Sequence, residues 1–262
     1  MPDWQKRSKH REAFVKTAPV HALPMFEAEA EGLAALAATK TIRVPDVLDV
    51  GIQRDKAFIA LEWLDLAGLS PDLERELGTQ LARLHRHSAD RFGWHRDNAI
   101  GPTAQQNSWC EQWVEFFRQH RLQSQLALAR ENAHTGEIQE LGEQLAANLE
   151  LLFGDYEPLP SLLHGDLWAG NAAAAKGVPV IFDPAVYFGD RESDIAMTRL
   201  FGGFGHAFYS AYTSEWPMAA GYEQRQKLYQ LYHVLNHLNL FGTTYLGRAM
   251  TLLKDLGRTI HE

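Results

Sequence analysis

Two short apolar runs, each ending at an aspartate, constrain this chain more than any other feature. Leu162-Leu163 leads into His164-Gly165-Asp166-Leu167-Trp168-Ala169-Gly170-Asn171, and Val178-Pro179-Val180-Ile181-Phe182 leads into Asp183-Pro184. Aliphatic and β-branched runs bounded by Gly and Pro read as buried strands. An Asn stands five positions after the first Asp, and the second Asp stands twelve positions after that Asn. Asp166 and Asn171 therefore share one loop and a locally fixed separation, while Asp183 arrives from the end of a neighbouring strand. Asp and Asn are also ordinary turn formers, and an isolated His-Gly-Asp would say little. The whole spacing, HGDxxxxN followed by an apolar run and a further Asp, is much narrower.

This spacing resembles the catalytic-loop Asp and Asn and the metal-binding Asp of protein kinases. The resemblance implies phosphoryl transfer, which needs positioning and charge neutralisation more than covalent help. Asp166 would take the proton of the attacking hydroxyl. The amide oxygen of Asn171 and the carboxylate of Asp183 would hold Mg²⁺ against the phosphates of ATP, since Mg²⁺ favours hard oxygen ligands, waters and phosphate.

The 262 residues suffice for a large core and for two lobes, expected at 1–66 and 67–262. The 45% hydrophobic and 22% charged content is ordinary for a globular chain. A net charge of -8 supplies no overall basic field, so neither nucleic acid nor an anionic membrane is an expected partner. Cys110 is the only cysteine, which excludes an internal disulfide and a CxxC zinc site. No signal-peptide or bilayer-spanning apolar run is visible, and a cytoplasmic location is the default expectation. The run Ala172 to Ala175 is too short to carry meaning on its own.

Asp3 to Glu12 is polar and reads as a solvated terminus. Ala13 to Lys16 reads as a short strand, and Pro24 suits the first turn of a helix over Met25 to Ala38. Phe26, Ala30, Leu33 and Leu36/Ala37 form its apolar stripe, with Glu27, Glu29 and Glu31 on other faces. Near a helix N-terminus such acids are also favoured by the dipole. Val44 to Gly51 and Ala57 to Leu64 read as strands joined by a polar turn at Gln53 to Lys56. Pro71 to His87 reads as a helix with Leu73, Leu77, Leu81 and Leu84 on one face. His85 and His87 lack i, i+4 metal spacing and are expected at the surface or near the cap.

Phe92 to Asn107 reads as a loop whose Trp94 and Asn98 serve either substrate binding or loop packing. Ser108 to Arg130 reads as one long helix with Trp109, Trp113, Phe116 and Phe117 as a core stripe. Glu137 to Leu152 reads as another. Asp190 is a candidate cap for a helix starting near Arg191. Further helices are expected at roughly Gly205 to Ser214, Tyr222 to Leu240 and Gly242 to Leu256. Within them Asn236, His237 and Asn239 either bond locally or line a polyol pocket.

A narrower resemblance rests on several stretches together. They are Met25-Phe26-Glu27-Ala28-Glu29, Ile42-Arg43-Val44-Pro45, Phe116 to Gln123, Leu163 to Trp168, Phe182-Asp183-Pro184-Ala185-Val186-Tyr187, Leu200 to Phe204 and Leu235 to Gly242. From about Phe14 to the C-terminus the chain resembles the fructosamine kinase (ketosamine-3-kinase) family. That resemblance implies an α+β, protein-kinase-like fold of two lobes: a small antiparallel sheet with one helix, then a larger, mainly helical lobe. It implies ATP-dependent phosphorylation of the 3-hydroxyl of ketosamines, free or protein-bound, after which the adduct falls apart and the amine is repaired. It places Lys16, paired with Glu29, on the ATP phosphates, and Glu62, Trp63 and Leu64 at the hinge beside the adenine. Asp194 would brace the catalytic loop from below.

Family members carry two strands and a glycine turn before the lysine strand. Here fifteen mostly polar residues without Gly precede Lys16, so either the start lies too far downstream or the first lobe is shortened, and weaker ATP binding and slower turnover are expected. The alternatives are a kinase for another hydroxylated amine, of aminoglycoside or choline type, and a feeble pseudokinase that only binds nucleotide.

Overall fold

The computed structural model describes residues 13–260. The polar stretch Asp3 to Glu12, and with it the expected loss of two strands and a glycine turn, lies outside the described residues.

Strands β1 (Ala13–Pro19), β2 (Val47–Gln53) and β3 (Lys56–Glu62) form an antiparallel sheet with β3 in the middle. The central strand carries the apolar run, and Ala57, Ile59, Ala60 and Leu61 are buried. Arg54 and Asp55 join β2 to β3 with φ of 47° and 60°, the left-handed geometry that matches strand twist in a two-residue hairpin. The first strand runs on past Lys16 to Pro19, so Lys16 sits mid-strand opposite Ile59. The second begins at Val47 instead of Val44, and just before it the Asp46 carbonyl accepts the Glu62 N–H at 2.8 Å.

Helix α1 (Leu23–Ala38) has Pro24 in its first turn. Phe26, Leu33 and Leu36 are buried as the stripe requires, and Ala28 joins them, whereas Ala37 is exposed. After Trp63 to Asp65 come β4 (Leu66–Ala67) and α2 (Pro71–Leu84), where the Ser70 hydroxyl accepts the Leu73 N–H at 3.4 Å as an N-cap. The helix ends three residues before His87, in tighter turns in which Arg86 and His87 donate to Arg83 and Leu84.

The span read as a loop contains a hairpin, β5 (Asn98–Ile100) and β6 (Thr103–Gln105). The span read as one helix from Ser108 is three elements. Phe92 and Cys110 exchange backbone hydrogen bonds of 2.8 and 2.9 Å, which holds Ser108 to Gln112 extended. Helix α3 (Trp113–Phe117) follows, then a π-helical turn (Arg118–Gln123), then α4 (Ser124–Glu131). Trp113, Phe116 and Phe117 are core residues, but Trp109, off the helix, is 38% exposed. Helix α5 (Glu137–Ala147) breaks at Asn148 before a 3₁₀ turn, Leu149–Leu152.

Strands β7 (Ser161–Leu163), β8 (Ala172–Ala175), β9 (Val178–Ile181) and β10 (Tyr187–Gly189) are short antiparallel partners: β10 pairs β7, and β8 lies between β4 and β9. The alanine run is thus a central strand, because the apolar β9 needs a partner for its backbone groups. Helices α6 (Glu192–Thr198), α7 (His206–Glu215), α8 (Tyr222–Phe241) and α9 (Leu246–Thr259) complete the chain. Helices α2 and α7 cross closely at Gly78, where a Cβ would stand 2.2 Å from the Phe208 carbonyl oxygen.

One buried cluster gathers Trp113, Phe116, Phe117, Tyr187, Leu235 and Leu253. A second joins Phe26, Leu33 and Ile59 to Leu77, Leu162, Ile181 and Phe208, so residues on both sides of position 66 share one core. Among the described residues no helix is long and apolar enough to cross a membrane.

Candidate active site

The ends of β7 and β9 bring their two aspartate segments together. The Ala185 N–H donates to the His164 carbonyl (2.8 Å) and the Phe182 N–H to the Asn171 carbonyl (3.1 Å). The His164 ring adds a cross-tie: Nε2–H donates to the Phe182 carbonyl (3.0 Å), and Nδ1 accepts the Asp166 N–H (3.3 Å). This uses the neutral tautomer, and burial holds the His164 pKa below its ordinary value. Gly165 has φ +84°, and a Cβ there would stand 2.0 Å from the Ala185 carbonyl oxygen. Asp183 itself has φ +56°, a left-handed conformation uncommon outside Gly and characteristic of over-determined functional segments.

Beneath this crossing lies Asp194 of α6. Its Oδ2 accepts the His164 N–H (2.7 Å) and its Oδ1 the Gly165 N–H (2.9 Å). His85 Nε2–H donates to the same carboxylate (3.1 Å), and the Tyr212 hydroxyl donates to His85 Nδ1 (2.8 Å) while accepting from Arg191 (3.1 Å). Burial alone would raise the Asp194 pKa. The His85 hydrogen bond and the backbone donors outweigh it and hold the carboxyl below its usual range. His85 stands at the C-cap of α2, the cap alternative of its expectation, but is fully buried and not at the surface, whereas His87 is exposed. The signal was present: Leu77, Leu81 and His85 repeat at i, i+4, so His85 continues the apolar face of α2. The N-cap of α6 is Arg191 and not Asp190, which lies one residue earlier with its Oδ1 accepting the Glu192 N–H at 3.0 Å.

Above the crossing, Lys16 Nζ lies 2.8 Å from Glu29 Oε1 and 2.6 Å from Asp183 Oδ1. Desolvation pulls the Lys16 pKa down, yet the two carboxylates outweigh it and the value is raised. Burial raises Glu29 against the opposing effect of Lys16. Glu27 and Glu31 stay off the site; Glu31 pairs with Arg96 at 2.8 Å. Asn171 donates from Nδ2 to the Asp166 carbonyl (2.9 Å) and to Asp166 Oδ2 (3.4 Å), which leaves its Oδ1 without a hydrogen bond among the described residues. Burial, then the negative charges of Asp194 and Asp183, push the Asp166 carboxyl up to about 7, against a lowering contribution from the Asn171 amide. A carboxylate poised near neutral pH suits proton acceptance.

Lys16, Glu29, Asp166, Asn171 and Asp183 thus line a single cleft of about 380 Å³, together with Phe26, Asn98 and Trp168. A second cavity of about 240 Å³ shares Asp183 and is walled by Phe14, Leu61, Glu62, Trp63, Leu64 and Phe182. Glu62, Trp63 and Leu64, the residues expected at a hinge, therefore lie beside the cleft without entering it. Trp63 and Leu64 take part in no backbone hydrogen bond among the described residues. The Glu62 carboxylate is already held by Arg43 (2.7 Å), so only its backbone and stem wall the cavity.

Asn98 borders the cleft while donating to the Val186 carbonyl (2.8 Å), and Trp94 packs on Phe188. Asn236 and Asn239 bond to Gln125 and His237 to the His233 carbonyl, the local alternative.

The fructosamine kinase family profile matches residues 2–259. A "Probable ketoamine kinase" of Synechocystis is 47% identical over 92% of this chain and 82% of its own length. The chloroplastic protein-ribulosamine 3-kinase of Arabidopsis thaliana is 43% identical over 94% of this chain and 76% of its own. The crystal structure of a candidate fructosamine-3-kinase from Haemophilus somnus 129PT superposes with a TM-score of 0.87 at 32% identity, covering 93% of this chain and 83% of that one. The aminoglycoside phosphotransferase APH(2")-IIa, at 15% identity and a TM-score of 0.63, shares the kinase-like fold alone. With nearly its whole length matched by one family profile, and with relatives above 40% identity that it largely spans, the chain belongs to the fructosamine kinase family.

Proposed function

We propose that this chain transfers the γ-phosphoryl group of ATP to the 3-hydroxyl of ketosamines, sugar adducts on amines of the fructosamine and ribulosamine kind. The observation that carries this reading is the meeting of Asp166, Asn171, Asp183 and Lys16 in one cleft. Asp166 accepts the proton of the 3-hydroxyl as its oxygen bonds to the γ-phosphorus and the bond to ADP breaks. Lys16, steadied by Glu29, steers the α- and β-phosphates. The cavity bordered by Glu62, Trp63 and Leu64 takes the adenine, and the backbone of Trp63 and Leu64, which makes no hydrogen bond among the described residues, is the candidate partner of its ring nitrogens. Proposed lobes 1–66 and 67–262 meet at this hinge, with the phosphates between them.

The donor set suits Mg²⁺. Asn171 offers a free amide oxygen and Asp183 a carboxylate now neutralised by the Lys16 ammonium, so a cation has a charge to meet there. Among the described residues no cluster of three His, Cys, Asp or Glu could hold a metal alone. That agrees with an ion completed by phosphate and water oxygens. When bound, Mg²⁺ would neutralise the phosphate charge that builds during transfer.

The test is ADP release from Mg-ATP with a ribulosyl-lysine derivative as acceptor, against kanamycin and choline as controls. Release with the ribulosamine is expected. Release only with a control acceptor, or nucleotide binding without transfer to any of them, overturns the reading.

A further inference from the structure

Arg121 and Arg225 are the largest fully buried side chains of the described residues, and whereas Arg225 pairs with Glu192 at 2.7 Å, Arg121 makes no ion pair among them. It sits in the π-helical turn, a local distortion that is often found at functional sites. Its Cζ lies 4.1 Å from the Tyr187 ring centroid and 4.7 Å from that of Phe116, so aromatic faces stand where a carboxylate would be expected. A buried cation without an acid is costly and calls for a reason beyond packing.

Its hydrogen bonds supply one. Nη1 donates to the Gln106 carbonyl (2.6 Å) and Nη2 to Asn107 Oδ1 (2.7 Å). With its oxygen so fixed, Asn107 Nδ2 must donate, and it does so to Asn98 Oδ1 (2.9 Å). Gln105 Nε2 donates to the same Asn98 oxygen (2.8 Å) and to the Ala185 carbonyl (3.2 Å), while its own oxygen accepts from the Tyr232 hydroxyl (2.7 Å). With its oxygen doubly held, Asn98 turns Nδ2 to the Val186 carbonyl (2.8 Å). Amide side chains can flip, and a chain of flippable groups has two senses. Arg121 has only donors, so it fixes the sense at the Asn107 end, in agreement with the acceptor-only carbonyls of Arg96, Ala185 and Val186 that receive the Asn107, Gln105 and Asn98 amides.

Resting on the function proposed above, we infer that Arg121 is a positioning residue for the acceptor side of the cleft. Through Asn107 and Asn98 it straps the β5–β6 hairpin, which borders the cleft at Asn98, Gly101 and Pro102, to the segment just beyond Asp183. The nucleotide cavity, walled by Phe14, Leu61, Trp63 and Leu64, is untouched by this strap.

Arg121→Met, Arg121→Lys and Asn107→Ala separate this from a packing role. In steady-state assays with Mg-ATP and a ribulosyl-lysine derivative, Arg121→Met raises the KM for the acceptor about tenfold or more and leaves the KM for ATP within about twofold. Arg121→Lys keeps the charge but lacks the planar fork, so it does not rescue. Arg121→Met and Asn107→Ala combined are no worse than the stronger single variant, because both cut one chain. Hydrogen exchange reads the strap without any substrate: backbone amides of residues 98–105 and 185–189 exchange about tenfold faster in Arg121→Met, with α1 unchanged. If Arg121→Met does not fold, Asn107→Ala carries the same two readouts. Equal exchange protection, rescue by Lys, or KM values that rise together overturn the inference. Absence of ketosamine turnover in the unaltered protein refutes the proposed function, and the exchange result then decides the strap alone.

Discussion

The underside and the upper side of the cleft are built on opposite terms. Below, Asp194, His85 and Tyr212 are buried, and each polar atom quoted above has a partner in a relay that ends on the backbone of the catalytic loop. Above, Lys16 and Asp183 are part-exposed, with side-chain exposures of 25% and 45%. The lower set holds a shape, and its energy is that of satisfied hydrogen bonds in a dry interior. The upper set holds a charge that solvent and ligands can exchange. A residue below should therefore be read in stability, and a residue above in turnover.

Asp166 lies between the two and gives the largest expected effect. Asp166→Asn should lower kcat by about 10²–10⁴-fold in the coupled assay while nucleotide affinity by thermal-shift titration is retained. The same variant sharpens the contrast through pH. The folded pKa, near 7, lies above the unfolded carboxylate value, so ionisation opposes folding as pH rises from about 4 to 7. Asp166→Asn should therefore unfold at a higher temperature than the unaltered protein at pH 8, and the gain should vanish near pH 4. Wild-type turnover in Asp166→Asn would erase the role given to it.

Asp194→Ala tests the floor. It orphans three buried N–H groups, those of the His164 and Gly165 backbone and of His85 Nε2, each worth about 1–3 kcal/mol, so denaturant unfolding should show a loss of roughly 3–9 kcal/mol. An unchanged unfolding midpoint with lost activity would place Asp194 in the chemistry and break the comparison. Lys16→Met tests the roof: about 10²-fold lower kcat/KM for ATP, with stability within about 1 kcal/mol because the pair is part-exposed.

The smallest effect belongs to His233 of α8. It is buried, its Nδ1 has no hydrogen-bond partner among the described residues, and burial followed by the nearby His237 pulls its pKa from 6.5 to about 3. Its folded pKa is depressed, so the unfolded chain binds the extra proton between those values. Stability is full above pH 6.5 and falls by about 1.4 kcal/mol per pH unit on acidification below it. His233→Leu should flatten that slope in unfolding measured from pH 7 to pH 5.

The upper side was legible in the sequence because spacing encodes it. Asp166, Asn171 and Asp183 are fixed by one loop and one hairpin, and Lys16 and Glu29, singled out by resemblance, pair at 2.8 Å. The floor was less legible, since His85 reaches Asp194 across 109 positions of chain and only its i, i+4 phase with Leu77 and Leu81 hinted at burial. The span after Asn107 misled for another reason. Trp109 keeps helical register with Trp113, but the extended pairing of Cys110 with Phe92 wins locally, as tertiary contacts routinely override periodicity. The π-helical turn that carries Arg121 has no signature in a pattern of apolar positions, so the strap it anchors was invisible until the side chains were placed. The alanine strand β8 was hidden by its brevity.

The hairpin of β8 and β9 turns at Lys176 and Gly177, and its open end pairs Ala172 with Ile181. Asn171 and Asp183 lie just beyond that open end, so their spacing follows first from neighbouring strands about 5 Å apart, with His164 tying the segment from outside the hairpin. Evolution can lengthen the tip of this hairpin without touching the pair at its foot. A single residue slipped into either strand would instead turn one of the two side chains to the opposite face of the ribbon and end the partnership.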